Sequence, residues 1–302
     1  MRVCVIGEGM VELSRDASGA GWRVGHGGDT LNMAIHLARF GLDVAYVTAL
    51  GADPFSDDLR AAWIAEGLDP ATLLTDPART VGLYAISTDA AGERAFAYWR
   101  GESAARTMFD LPAMADVLER ARSADLIVLS LITLAILTPS GREALLAFCR
   151  RARARGARVA FDGNYRPRLW PDAAAAAAAR DRALGLCDFG LPSLDDEQAL
   201  SGRSDPVRVA ADWSAAGCAE VAVKLGARGA WIGGGGLTAP ERVVDAVDTS
   251  GAGDGFDAGY LAARLEGRPP LEAAVIGCRL AAWVVGRPGA IPPRDAAAPY
   301  RL

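Results

Sequence analysis

Short apolar runs alternate with amphipathic, Ala/Leu/Arg-rich segments along all 302 residues, and this alternation constrains the fold more than any other feature. The apolar runs predict strands over 2–6, 44–50, 126–130, 158–162, 189–192, 220–225 and 230–232. The longer segments predict helices over 30–40, 55–66, 113–121, 140–154, 173–186, 195–200, 206–216, 255–265 and 271–285. Seven consecutive alanines, Ala173 to Ala179, read as surface helix. Strand followed by helix, repeated, implies an α/β fold with a mostly parallel sheet covered on both faces. Ligands of such sheets bind beyond the C-terminal ends of the strands. No Pro/Ser-rich linker and no internal repeat divides the chain, so residues 1–302 read as one domain.

One segment breaks the alternation. Two strand-like runs, 80–88 and 94–100, are joined by the turn signal Asp89-Ala90-Ala91-Gly92-Glu93, and residues 12–24 can add strands to the same small sheet. Period two puts Arg94, Phe96, Tyr98 and Arg100 on one face and Ala95, Ala97 and Trp99 on the other. Tyr98 and Arg100 together suit a lid over an anionic, hydroxylated ligand. An ordinary half-solvated hairpin is the alternative.

Several function classes are excluded. The formal charge is −5, which offers no basic excess for nucleic acid. No apolar run approaches the roughly 18 residues that span a bilayer. The start, Met1 to Gly7, reads as a buried strand rather than a signal peptide. Five scattered cysteines with no CxxC fit reduced thiols and a cytoplasmic location. The two histidines, His26 and His36, are too few for a His-based metal site or a Ser-His-Asp triad. Lys224 is the one lysine and is not in a G-K-[ST] context, so there is no Walker A loop. No H-R-D or D-F-G occurs. The G-x-G-x-x-A match at Gly253, Gly255 and Ala258 lies near the C-terminus without an acidic ribose partner after it.

The residues richest in chemistry are Asp248-Thr249-Ser250-Gly251-Ala252-Gly253-Asp254. They follow a strand-like stretch over 242–247 and lead into a helix. Small residues at Gly251, Ala252 and Gly253 let backbone amides crowd round a phosphate, and the helix dipole favours its charge. A carboxylate inside such an anion site is electrostatically out of place. It makes sense if Asp254 sits beside a transferring phosphoryl group and takes a proton from the attacking hydroxyl. The bland alternative is a Gly-rich turn with an N-cap Asp. Gly28, Asp29 and Asn32 form a second glycine-led helix start with groups suited to sugar hydroxyls. Asn164 and Arg166 follow the strand over 158–162, where Arg166 could grip a carboxylate or phosphate in bidentate fashion. Lys224 also ends a strand and is followed by Gly226, so it is placed to reach a phosphate.

Together these pieces resemble the ribokinase-like (PfkB) family of carbohydrate kinases. Asp248–Asp254 resembles its C-terminal signature, and Gly27-Gly28 with Asn32 its N-terminal one. Within the family the chain most resembles the branch that phosphorylates 2-dehydro-3-deoxygluconate. That likeness is carried by Gly7 to Leu13, Gly28 to Asn32, Gly82-Leu83-Tyr84, Tyr98-Trp99-Arg100, Asn164 to Trp170 and Gly289-Ala290-Ile291, so it covers nearly the whole chain. It implies a three-layer α/β/α fold with a β lid, and ATP-dependent phosphorylation of the 6-hydroxyl of that sugar acid with Mg²⁺ on the nucleotide. Asp254 would be the base, and the amides of Gly251, Ala252 and Gly253 the anion hole. Gly28, Asp29, Asn32, Tyr84, Tyr98, Arg100 and Arg166 would hold the sugar acid. Asn164, Arg166, Lys224, Gly226, Gly251 and Gly253 would lie along ATP. Asp196 would be linked to Mg²⁺, and Asp248 to a monovalent cation such as K⁺.

The chain departs from the family pattern in places. Ser193-Leu194-Asp195-Asp196 stands where Asn-x-x-Glu is usual, which bears on the Mg²⁺ network. Leu131 and Leu225 stand where glycine and a basic residue are expected, and could reshape a pocket. Another sugar kinase of the family, or a silent sugar-acid sensor, are the alternatives. Partners are the sugar acid and ATP, with no nucleic acid or membrane, and homo-oligomerisation is left open.

Overall fold

The computed structural model describes residues 1–15, 21–88 and 94–302. Its elements run, in chain order, β1 (Arg2–Ile6), β2 (Met10–Arg15), β3 (Trp22–Gly27), α1 (Asp29–Arg39), β4 (Asp43–Leu50), α2 (Pro54–Ala65), β5 (Leu73–Thr75), β6 (Gly82–Thr88) and β7 (Arg94–Trp99). They continue with α3 (Met114–Arg120), β8 (Leu126–Ser130), α4 (Leu131–Ile136), α5 (Pro139–Arg153), β9 (Arg158–Asp162), α6 (Ala173–Leu184), β10 (Phe189–Leu191), α7 (Leu194–Ser201) and α8 (Pro206–Ala215). The last are β11 (Glu220–Lys224), β12 (Ala230–Ile232), β13 (Gly236–Thr238), α9 (Ala252–Leu265) and α10 (Pro270–Val285).

Nine strands form the main sheet in the order β13-β12-β11-β10-β9-β8-β1-β4-β5, parallel from β11 to β5 and antiparallel at the β12–β13 edge. Its strands are apolar on both faces because both are covered. Val3 and Val5 pack with α1, α2, α9 and α10; Cys4 and Ile6, one residue out of phase, pack with α3 to α8. This is a three-layer α/β/α arrangement. The alanine run lies in α6, with Ala176 and Ala179 buried and Ala173, Ala174 and Ala178 exposed, as a surface helix requires.

Four strands form the second sheet, in the order β3-β2-β6-β7. Register aligns Gly25, Glu12, Tyr84 and Tyr98 across it. Tyr98 stacks with both Phe96 and Tyr84, which agrees with the period-two face expected from sequence. The expected turn over 89–93 lies outside the described residues.

Two expectations are corrected. Residues 242–247 form no strand; Val243 and Val247 are 71% and 60% exposed, so the apolar run has no sheet to bury it. The run after β8 also does more than expected, because Ser130 ends the strand and then N-caps α4 in a capping box with Thr133.

Candidate active site

Six helices, α2, α4, α5, α6, α7 and α8, start with a side-chain oxygen accepting from their own first-turn amides. The N-termini of α1 and α9 do not; each begins at a glycine with no side-chain cap. Gly28 has φ 152°, and a Cβ there would lie 2.3 Å from the Glu8 carbonyl oxygen. Gly251 has φ 71°, and a Cβ would lie 2.6 Å from Ala290 Cβ. Both positions need glycine, and both leave the first amides of a helix without a side-chain cap. The two helix starts face each other at the C-terminal ends of the parallel strands, where the alternation predicted a site.

Asp254 lies in the first turn of α9, and its Oδ2 accepts from Asn32 Nδ2 of α1 at 2.7 Å. Burial pushes its carboxyl up to about 8, and the neighbouring Asp29 and Asp162 carboxylates push the same way; the Asn32 amide and Lys224 oppose them. Asp29 accepts from Asn164 Nδ2 at 3.2 Å and is likewise raised, mainly by burial. Asn32 Oδ1 and Asn164 Oδ1 are buried without a hydrogen-bond partner, two acceptors on the side chains that hold Asp254 and Asp29. Tyr84 donates a short hydrogen bond to Glu12, and burial raises its hydroxyl well above the usual phenol range.

The two arginines are already engaged. Arg100 is buried and paired with Glu8 by a short ion pair; its guanidinium also lies 6.0 Å from the Tyr98 ring centroid. Arg166 pairs with Asp196 at 3.1 Å, donates to the Tyr165 carbonyl at 2.7 Å, and stays 49% exposed. Lys224 is held by Asp162 and Asp257 at 2.9 and 2.7 Å. Gly226, at φ 59°, opens onto free space beyond β11. Asp248 accepts from the Ser250 and Gly289 amides at 2.7 and 2.9 Å, which ties the 248–254 loop to the loop after α10.

The departures from the family pattern resolve locally. Ser193 N-caps α7, accepting from the Asp196 amide, so its hydroxyl is committed to the helix. Leu131 and Leu225 are buried in the hydrophobic cluster shared with α3 to α8.

Sequence reasoning missed Glu8, Glu12, Asp162 and Asp257 as partners of the expected residues. Glu8 and Asp162 each stand at the C-terminal end of a predicted strand, and that position was the available signal. Asp257 shows as a carboxylate within an otherwise apolar helix, three residues after Asp254. Nothing in the spacing of Glu12 marks it.

A match to the pfkB family carbohydrate kinase model extends over residues 1–297. The chain belongs to the pfkB family of carbohydrate kinases. It is 42% identical over 309 residues to 2-dehydro-3-deoxygluconokinase of Escherichia coli (strain K12), covering 98% of each chain. Identity to the enzyme of the same name from Dickeya dadantii (strain 3937) is 40%, over 97% of each. The fold matches a fructokinase from Vibrio cholerae O395, solved with fructose, ADP and calcium, at a TM-score of 0.82 and 27% identity, over 96% of this chain and 94% of that one. Among the described residues no helix is long and apolar enough to cross a membrane. All five cysteines are free and buried.

Proposed function

We propose that this pfkB-family kinase transfers the γ-phosphoryl group of ATP to the 6-hydroxyl of 2-dehydro-3-deoxy-D-gluconate. The observation that carries the chemistry is Asp254: a buried carboxylate with a raised pKa, aimed by Asn32 at the uncapped start of α9. The near-full-length likeness to the two 2-dehydro-3-deoxygluconokinases supports the substrate.

In this reading the 6-hydroxyl oxygen attacks the γ-phosphorus, the bridging P–O bond to the β-phosphate breaks, and ADP leaves. Asp254 takes the hydroxyl proton, and the amides of Gly251, Ala252 and Gly253 meet the charge on the transferring group. Gly28, Asp29, Asn32, Tyr84 and Tyr98 surround the sugar. Arg100 and Arg166 take its carboxylate, Arg166 by exchanging Asp196 for the ligand. Asn164 and Gly226 flank the nucleotide.

Mg²⁺ fits the oxygens present. Among the described residues no cluster of three acidic, His or Cys side chains could hold a metal ion by itself, and Mg²⁺ usually comes with phosphates and its own waters. Asn164 Oδ1 and Asp196 are the oxygens that would face it, and its charge would neutralise the phosphates when bound. A monovalent cation such as K⁺ fits beside Asp248, whose carboxylate the Ser250 and Gly289 amides hold in place.

A neutral sugar is the second reading, because both arginines already have carboxylate partners. ATP-to-ADP conversion with 2-dehydro-3-deoxygluconate, 2-dehydro-3-deoxygalactonate, gluconate, fructose and ribose separates the two. Fastest turnover on 2-dehydro-3-deoxygluconate is expected; preference for fructose or ribose would overturn the assignment of the arginines and leave Asp254 as base.

A further inference from the structure

The ammonium of Lys224 is not free to swing. It donates to Asp162 Oδ1 at 2.9 Å and Asp257 Oδ2 at 2.7 Å, and both carboxylates are buried, Asp257 completely. Asp162 ends β9, Lys224 ends β11, and Asp257 belongs to α9. The clamp therefore ties two strands to the helix that carries Asp254. An ammonium has three protons, and these bonds take two. The nitrogen lies against the anion loop, since a Cβ on Gly253 would sit 3.7 Å from it. A mobile lysine follows a phosphate wherever it lies, whereas a clamped one presents its charge at one place.

Asp257 makes the clamp two-sided. It stands three residues after Asp254, on a neighbouring part of the same helix surface, and its Oδ1 has no hydrogen-bond partner. A fully buried carboxylate is costly unless paired, so packing alone does not account for it. We propose that Asp257 is a positioning residue for phosphoryl transfer: with Asp162 it holds the Lys224 ammonium under the 251–254 loop, where Lys224 meets the transferring phosphoryl group rather than the outer part of the nucleotide. Lys224 keeps its proton throughout, and the bonds made and broken are those of the transfer itself. The inference rests on the reaction and base proposed above.

Asp254 is faced by Asp29 and Asn32 from α1, Tyr84 from β6, Asp162 from β9, Lys224 from β11 and Asp257 from its own helix. Arg100, paired with Glu8, acts on Asp29. Lys224 lowers the Asp254 carboxyl and a charged carboxylate beside it raises it, so deleting Lys224 and deleting Asp257 are expected to move the base in opposite directions.

The test is kcat, KM for ATP and the pH profile of kcat/KM, measured on whichever sugar the wild type turns over fastest. Lys224→Met is expected to lower kcat by about 10²–10³ and to move the acid limb to higher pH. Asp257→Asn is expected to lower kcat by about 10- to 100-fold through misplacement of the ammonium, and to move the acid limb to lower pH. KM for ATP should stay within about threefold in both, the sign of an interaction made in the transition state. Lys224→Met strands two buried carboxylates and can unfold the protein; the nearly isosteric Asp257→Asn then carries the test alone. A KM for ATP raised tenfold or more with kcat retained would overturn the proposal by placing Lys224 on the nucleotide. So would an Asp257→Asn enzyme with wild-type kcat and an unshifted limb. Absence of wild-type turnover on every sugar would bring down the proposed reaction and this inference with it; wild-type turnover with an indifferent Asp257 would bring down the inference alone.

Discussion

A carboxyl titrating near 8 is mostly protonated at pH 6, and a protonated Asp254 cannot take a proton from the sugar. The expected kcat/KM therefore rises about tenfold per pH unit up to about 8 and then levels; initial rates from pH 6 to 9.5 would show it, and a flat profile would exclude Asp254 as the titrating base. The same shift makes a stability prediction. The folded pKa lies above the unfolded value of 3.8, so the stabilising contribution is complete below 3.8 and disappears as pH rises through about 8. Asp254→Asn should lower kcat by about 10²–10⁴. It should also raise stability at pH 9 by at least about 1.4 kcal/mol, one pKa unit's worth. Denaturant midpoints at pH 3 and pH 9 check this, and an equal gain at both would show that charge is not the cause. The arginines need different handling. Arg100→Ala strands Glu8 and is expected to destabilise the fold by about 3–5 kcal/mol, whereas half-exposed Arg166 can be cut back to Ala with little such cost. Arg166→Ala should slow turnover of a sugar acid far more than of a neutral sugar. At this scale the sequence offered candidate residues that the fold brings together, such as Asn32 with Asp254 and Asp29 with Asn164, but not their other partners. Glu8 and Arg100, or Lys224 and Asp257, meet only after folding, and no local spacing encodes such pairs.

The strands of the main sheet were legible because burial on both faces leaves uninterrupted apolar runs, and the helices because one face stays polar. The reading failed where a run has no single owner. From Leu126 to Leu137 the apolar stretch is continuous apart from Ser130 and Thr133, so length could not separate β8 from α4. Over 242–247 valines suggested a strand that no neighbour pairs. The small sheet was visible as a break in the alternation, although its extent was not. Its Glu12–Tyr84–Tyr98 row leaves Tyr98 45% exposed. If β6 and β7 close over the sugar, ring and ligand bury each other and water is excluded from the phosphoryl group. Saturating sugar acid should then slow amide exchange and proteolysis across Gly82–Trp99 several-fold relative to the ligand-free protein. Identical rates in the two states would count against closure.

At the scale of the whole molecule, the C-terminal tail is wired to the anion loop. Arg39 forms a two-point ion pair with Glu66, donates to the Pro292 carbonyl, and donates to the Tyr300 hydroxyl at 3.2 Å. That hydroxyl donates to His36 Nδ1 at 2.8 Å, and His36 Nε2 donates to the Ala290 carbonyl at 3.2 Å. Ala290 in turn packs against Gly251, the first residue of the uncapped helix start. Burial, with Arg39 alongside, lowers the His36 pKa to about 3, so the ring is neutral and its tautomer is set by these two bonds. A folded pKa below the unfolded 6.5 means stability complete above 6.5 and lost as pH falls towards 3. Tyr300→Phe keeps the ring among Phe40 and Trp283 but removes the hydroxyl, leaving the buried His36 Nδ1 without its donor. The expected cost is about 1–3 kcal/mol at pH 7.5, read from urea midpoints. Because the chain of bonds ends at Gly251, kcat should also fall, with KM for the sugar little changed. A variant that loses stability yet keeps full kcat would make the tail a clasp for the fold and nothing more.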